Sequence, residues 1–182
     1  TIAGAGAVLV GIAARAVPLL AANRFVIGRA MTVQQETATH GVTLTDAKRD
    51  AYGRFPRDAS PDDLVVHQQD VQAVLNALWS AGAEGIQMQD QRIIATSAPL
   101  CVGNTLLLND RTYSPPYVVT AVGDPVAMQA ALSAAPLVTL YKQYVLRFQL
   151  GYSEEVRDDV ELAGYTAPVR MRYAKPAGPL GY

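Results

Sequence analysis

The run DVQAVLNALWSAG, residues 70–82, limits the fold more than any other part of the chain. Val71, Val74, Leu75, Leu78 and Trp79 recur at i, i+3, i+4, i+7 and i+8, which predicts a helix over 70–81 with one apolar stripe. Gly82 stands where a residue of left-handed conformation ends such a helix. The period then changes. In GIQMQ, Ile86 and Met88 face one way and Gln87 and Gln89 the other, the pattern of a half-buried strand. A turn at Asp90–Gln91 sends the chain back as a second strand, RIIATS. A single-sided helix leading straight into a hairpin needs a sheet to lie on.

The same plan recurs downstream. NTLLLNDRTY offers Asn109–Asp110, two residues that tolerate positive φ, as the turn of a further hairpin. Tyr117 to Val122 reads as a strand. Asp124 is placed as the N-cap and Pro125 as the first residue of a second helix near 125–134, with Met128, Ala131 and Leu132 as its buried stripe and Pro136 as its end. Upstream, Val42 and Leu44 alternate with Thr43 and Thr45 in GVTLTD, residues 41–46, a short strand. Residues 47–63, with Gly53, Pro56 and Pro61, read as an exposed loop. Asp58, Asp62 and Asp63 within it lack the spacing and closing Glu of a calcium loop. In LYKQYVLRFQLGYSEEV, Leu140, Tyr144 and Phe148 suit a helix, but a turn and then a strand from about 144 to 153 is the preferred reading; VRMRYA, 169–174, is read as a last strand. The expectation is an α+β domain over 39–182, a mainly antiparallel sheet with two helices on one face. Its simplest description is a ferredoxin-like sandwich with an inserted hairpin.

Residues 1–38 are set apart as an N-terminal helical segment, a connector or the remnant of an anchor. TIAGAGAVLVGIAARAVPLL is apolar for about the length of a membrane span, yet Arg15 and Pro18 interrupt it. A charge near the centre of a span costs roughly 2.5–3.5 kcal/mol on insertion scales, so packing on the domain or on a second copy is favoured over lipid. The first residue is Thr1 rather than Met, and a segment upstream is expected. Gly4, Gly6 and Gly11 do not make a dinucleotide fingerprint: its next glycine would fall at Leu9, and no strand precedes Gly4.

The chemistry-bearing residues are sparse. With 15 basic against 16 acidic residues, net charge −1, nothing recommends nucleic acid as a partner. The single cysteine, Cys101, excludes an intrachain disulfide and, between Leu100 and Val102, reads as a small core residue. His40 and His67 lie in different segments, and no paired-His or paired-Cys metal motif occurs, so no catalytic residue, metal or cofactor is expected. Glu154 and Glu155 with Asp158 and Asp159 read as solvated charges rather than a hydrolase pair. Glu84 and Arg92 remain. They suit a cross-strand ion pair, or Glu84 caps backbone donors after Gly82; the sharper reading is a polar spot for a partner, widened by Gln87, Gln89 and Gln91. A second reading is a small-molecule or cell-wall-fragment module with a pocket near Arg92 and the 101–104 loop, which holds Asn104.

NALWSAGAEGIQMQDQRI, GNTLLLND, SPPYVVTAVGD and MQAAL, in that order, resemble the bacterial family catalogued as domain of unknown function 881. The resemblance spans roughly residues 41–175. Matching positions include Asn76, Leu78, Trp79, Gly82, Ala83, Glu84 and Arg92, then Gly103, Asn109, Pro115, Pro116, Tyr117 and Gly123. Two departures stand out. Gln89-Asp90-Gln91 replaces a turn that is Asn-Gly in many members, and Thr39-His40-Gly41 replaces Gly-Pro-Gly. The resemblance implies a single-pass membrane protein of Gram-positive bacteria with this domain outside the cytoplasmic membrane. It also implies a non-catalytic role, with protein partners in the cell-division or cell-wall machinery; self-association is expected separately, from the apolar surface of residues 1–38, which the resemblance does not cover.

Overall fold

The computed structural model describes residues 31–32, 38–157 and 160–166. In chain order the strands begin with β1 (Met31–Thr32) and β2 (Ala38–Thr45). A 3-10 turn (Pro61–Leu64) and helix α1 (Gln68–Ser80) follow, then β3 (Gly85–Met88) and β4 (Gln91–Ile93). Next come β5 (Leu100–Val102), β6 (Thr105–Leu108), β7 (Arg111–Tyr113) and β8 (Tyr117–Gly123). Helices α2 (Pro125–Ala134) and α3 (Pro136–Phe148) precede β9 (Gly151–Arg157) and β10 (Glu161–Leu162).

The architecture is α+β, with three helices and antiparallel sheets among the described residues. The main sheet runs β4-β3-β8-β2-β9, every neighbouring pair antiparallel. Its register sets Val42 opposite Val119, and Ile86 opposite Ala121, so these side chains share one face. That face is buried with Val71, Val74, Leu75 and Leu78 of α1, Met128 and Leu132 of α2, and Val138 and Tyr141 of α3 in one core cluster. A second sheet, β5-β6-β7, sends Leu106 and Leu108 into the same cluster. Among the described residues β1 pairs with β10.

Local chemistry explains most of the element ends. Gly82 takes φ +83° after α1, and Asn109 and Asp110 take φ +48° and +63° between β6 and β7, as their types suggested. The Asp124 carboxylate accepts from Val126 N at 2.8 Å and Ala127 N at 3.2 Å, with Pro125 at the first helical position. Asp124→Ala is expected to cost about 1 kcal/mol, read as a small drop in the thermal unfolding midpoint, while Asp124→Asn keeps most of the cap.

Several expectations need correction. Pro136 does not simply end α2: it opens α3, where Val138, Tyr141 and Phe148 are buried, so the strand expected from about 144 begins only at Gly151. The hairpin turn lies at Gln89–Asp90, because Met88 pairs with Gln91 and Gln89 takes φ +55°. The following strand stops at Ile93 rather than running through RIIATS. Trp79 is 39% exposed, since α1 turns Ala73 and Ala77 inward on its other flank. Ala131 is half-buried. Cys101 is exposed, not core: Cys101 N donates to Gln68 Oε1 at 2.7 Å and Gln68 N donates to Cys101 Sγ at 3.3 Å, which ties β5 to the start of α1. Met31–Thr32 and Ala38 are strand rather than helix. The helical reading of residues 1–30 and 33–37 and the strand over 169–174 fall outside the described residues.

Candidate functional site

The β3–β4 hairpin gathers three of the five residues singled out for binding, Gln87, Gln89 and Arg92, and both glutamines spend side-chain hydrogen bonds on backbone groups of this chain. Gln87 is paired with Arg92 across the hairpin. Glu84 precedes β3 and does not face Arg92 in the ladder; its backbone N donates to Val122 O at 2.8 Å and its side chain is exposed. No ion pair joins Glu84 and Arg92 among the described residues. Gln87 Nε2 donates to Gln89 O at 2.7 Å, and Gln87 Oε1 accepts from Ala163 N at 3.2 Å. Gln89 Nε2 donates to Pro116 O at 2.9 Å. Arg92 is only 4% exposed, and burial lowers its pKa. The hairpin turn is anchored to the second sheet by Asp90, whose carboxylate accepts from Arg111 and Tyr113. Asn104 is exposed in the β5–β6 turn, on that other sheet.

A second polar group lies where β2, β9 and α3 meet. His40 is fully buried, and its Nε2 is 3.3 Å from Glu154 Oε2. Glu154 Oε1 accepts from Lys142 Nζ at 2.9 Å and from the Tyr152 hydroxyl at 2.7 Å. Burial pushes Glu154 up, but the Lys142 and Tyr152 bonds and the Lys142 and His40 charges outweigh it and hold the carboxyl below its ordinary range. Burial, then the bond to Glu154, pushes the Tyr152 phenol up. Glu154 is therefore a structural carboxylate rather than a solvated one, because β9 sits at the sheet edge against α3. Glu155 is exposed and paired with Arg157 at 2.7 Å; Asp158 and Asp159 are outside the described residues. No metal-ligating group of three residues occurs among the described residues.

The feature least visible in sequence is a cleft of about 240 Å³ between the 3-10 turn, the start of α1 and α3. Leu140, Tyr141, Tyr144 and Leu150 form its apolar wall. Asp62, Asp63 and Asp70 supply carboxylates. Asp70 Oδ2 accepts from His67 N at 2.8 Å, and burial, the largest influence, raises its pKa. Asp63 accepts from Ser60 Oγ at 2.7 Å and Ser60 N at 2.9 Å, bonds that lower its pKa. Arg92 and residues 101–104 do not line it. Roughly seventy residues separate its two walls, and one wall is the helix read as a strand. Pro136 at a first helical position, followed by Leu137, Leu140 and Tyr144 at i, i+3 and i+7 spacing, is the signal that would have marked it.

These features define an α+β domain whose polar side chains mainly hold strands and helix ends together, with apolar surface left on α3. The family described as "Bacterial protein of unknown function (DUF881)" matches residues 30–175, and the chain belongs to it. The UPF0749 protein Rv1823 of Mycobacterium tuberculosis is 30% identical over 164 residues, 88% of this chain and 50% of that protein. The UPF0749 protein YlxW of Bacillus subtilis is 28% identical over 94 residues, 52% of this chain and 38% of that protein. The chain thus spans half or less of these curated relatives. A crystal structure of an uncharacterized conserved protein from Mycobacterium tuberculosis has the same fold, with TM-score 0.61 and 24% identity over 87% of this chain and 99% of that one.

Proposed function

We propose that this chain is the extracytoplasmic, non-catalytic part of a membrane-anchored protein, and that it binds other proteins in cell division or cell-envelope assembly. We read its scaffold as a ferredoxin-like sandwich. The order β3-β8-β2-β9, with α1 after β2 and α2–α3 after β8, supports that reading, and β4 to β7 are then the insertion. The observation that carries the binding role is α3. One of its flanks is buried, while Leu137, Leu140 and Tyr144 on another remain 57%, 47% and 38% exposed. Apolar residues aligned on the outside of a helix mark a contact surface more often than isolated ones do. The non-catalytic part is supported by the titratable groups: Glu154, Asp90, Asp63 and Asp70 each accept a hydrogen bond that fixes a strand, a turn or a helix start.

The compartment rests on the family resemblance. Among the described residues no helix is long and apolar enough to cross a membrane. The test is a pair of fusions at Tyr182 of the full-length protein, one reporter active only outside the cytoplasmic membrane and one active only inside. Activity from the outside reporter alone is expected; activity from the inside reporter alone would overturn the extracytoplasmic reading.

A further inference from the structure

We propose that the cleft between the 3-10 turn, α1 and α3 receives one cationic side chain, an arginine or lysine, carried on an apolar segment of a partner protein. This rests on the protein-binding reading above and names the chemistry of the contact. The first argument is size. About 240 Å³ lies below the roughly 300–1,000 Å³ of sites that enclose drug-sized molecules, and suits a single long side chain. The second is charge. Three carboxylates line the cleft with no Lys or Arg among its lining residues. Asp63 is occupied by Ser60 and lies near Arg147, and Asp70 Oδ2 is 3.9 Å from His67 Nδ1, whereas no Lys or Arg pairs with Asp62 or Asp70 among the described residues.

The third argument is the wall. Leu140 and Leu150 suit the methylene stem of such a side chain, and Tyr144 adds an aromatic ring to the same wall. Helix starts ordinarily attract anions. Here three donors around the start of α1 are already engaged: Val66 N by Asp46, His67 N by Asp70 and Gln68 N by Cys101 Sγ. The charged groups of the lining are therefore the carboxylates of Asp62, Asp63 and Asp70, set beside His67 and Gln69. Leu137 continues the same exposed flank of α3 beyond the cleft, where the apolar part of the partner segment lies.

The experiment uses the full chain, isotope-labelled, and three synthetic 16-residue helical peptides with the same leucine face. The first carries one central arginine, the second citrulline in its place as a neutral isostere, and the third glutamate. The arginine peptide is expected to shift the amide signals of residues 62–70 and 137–150. Citrulline should weaken binding about fivefold or more, and Asp62→Lys should weaken the arginine peptide about tenfold, since it replaces an attraction by a repulsion. Leu146→Asp, on exposed α3 surface outside the cleft, should leave affinity unchanged. Equal affinity for all three peptides, with shifts still on α3, would overturn the cation assignment and leave the protein-binding reading standing. Shifts confined to other surfaces would overturn both, and no binding by any peptide would overturn the inference.

Discussion

Leu78→Ala is expected to lower the unfolding free energy by about 3–5 kcal/mol, the range for deleting a fully buried leucine that leaves a cavity. Leu78 has no exposed surface, lies within α1 and belongs to the core cluster beneath the sheet. For a chain of this size that corresponds to a midpoint lower by roughly 6–20 °C in thermal unfolding. The neighbouring Trp79→Ala is the informative comparison. Trp79 is the larger side chain and fits the same sequence periodicity, yet it is partly exposed, so its loss should cost only on the order of 1–2 kcal/mol. A larger loss at Trp79 than at Leu78 would mean that α1 is rotated from the orientation described.

Glu154→Ala is the second large effect, about 2–4 kcal/mol, because one truncation removes the acceptor for Lys142 and Tyr152 and the partner of buried His40. The carboxylate is only 17% exposed, so water replaces these contacts poorly. Glu154→Gln keeps the shape and one acceptor, and isolates the charge. Since the folded carboxyl titrates below its ordinary value of 4.5, the folded state holds fewer protons there than the unfolded chain. The stability that the charge contributes is fully present above that ordinary value and is lost as pH falls through the folded pKa. Denaturant unfolding should therefore show wild type ahead of Glu154→Gln at pH 7, with the gap closing below about pH 4.5. Burial raises the Asp46 and Asp70 carboxyls and pulls the other way, so the difference between the two proteins is the quantity to follow.

What the sequence revealed about the fold was its local signals. The stop at Gly82, the positive-φ pair Asn109–Asp110 and the cap at Asp124 each depend on a few neighbouring residues, and each occurs where its chemistry predicts. The hairpin after β3 slipped by one residue, because Asp90 reaches Arg111 and Tyr113, which a local pattern does not contain. α3 was misread for a different reason. Pro136 can end one helix or begin another, and Phe148, Leu150 and Tyr152 alternate across the end of α3 into β9. Cys101 looked buried between two aliphatic residues, yet β5 leaves Leu100 and Val102 exposed as well, on a small sheet tied down through Gln68. The candidate sites follow the same logic. Gln87, Gln89 and Arg92 were placed together by a local hairpin, whereas the His40–Glu154 group and the cleft join segments seventy or more residues apart.

The outer flank of α3, with Leu137, Leu140 and Tyr144 exposed, is the surface proposed to meet a protein partner in the cell. Its most direct test is site-specific photo-crosslinking in living cells, with the photoreactive residue placed singly at Leu137, Leu140 and Tyr144, and for comparison at Asp110 in the β6–β7 turn and at Val118 on the other sheet face. A discrete crosslinked protein adduct is expected from the three α3 positions, lost on Leu140→Asp in a variant whose melting temperature is unchanged, and no such adduct from Asp110 or Val118. Adducts from Asp110 or Val118 with none from α3 would contradict it.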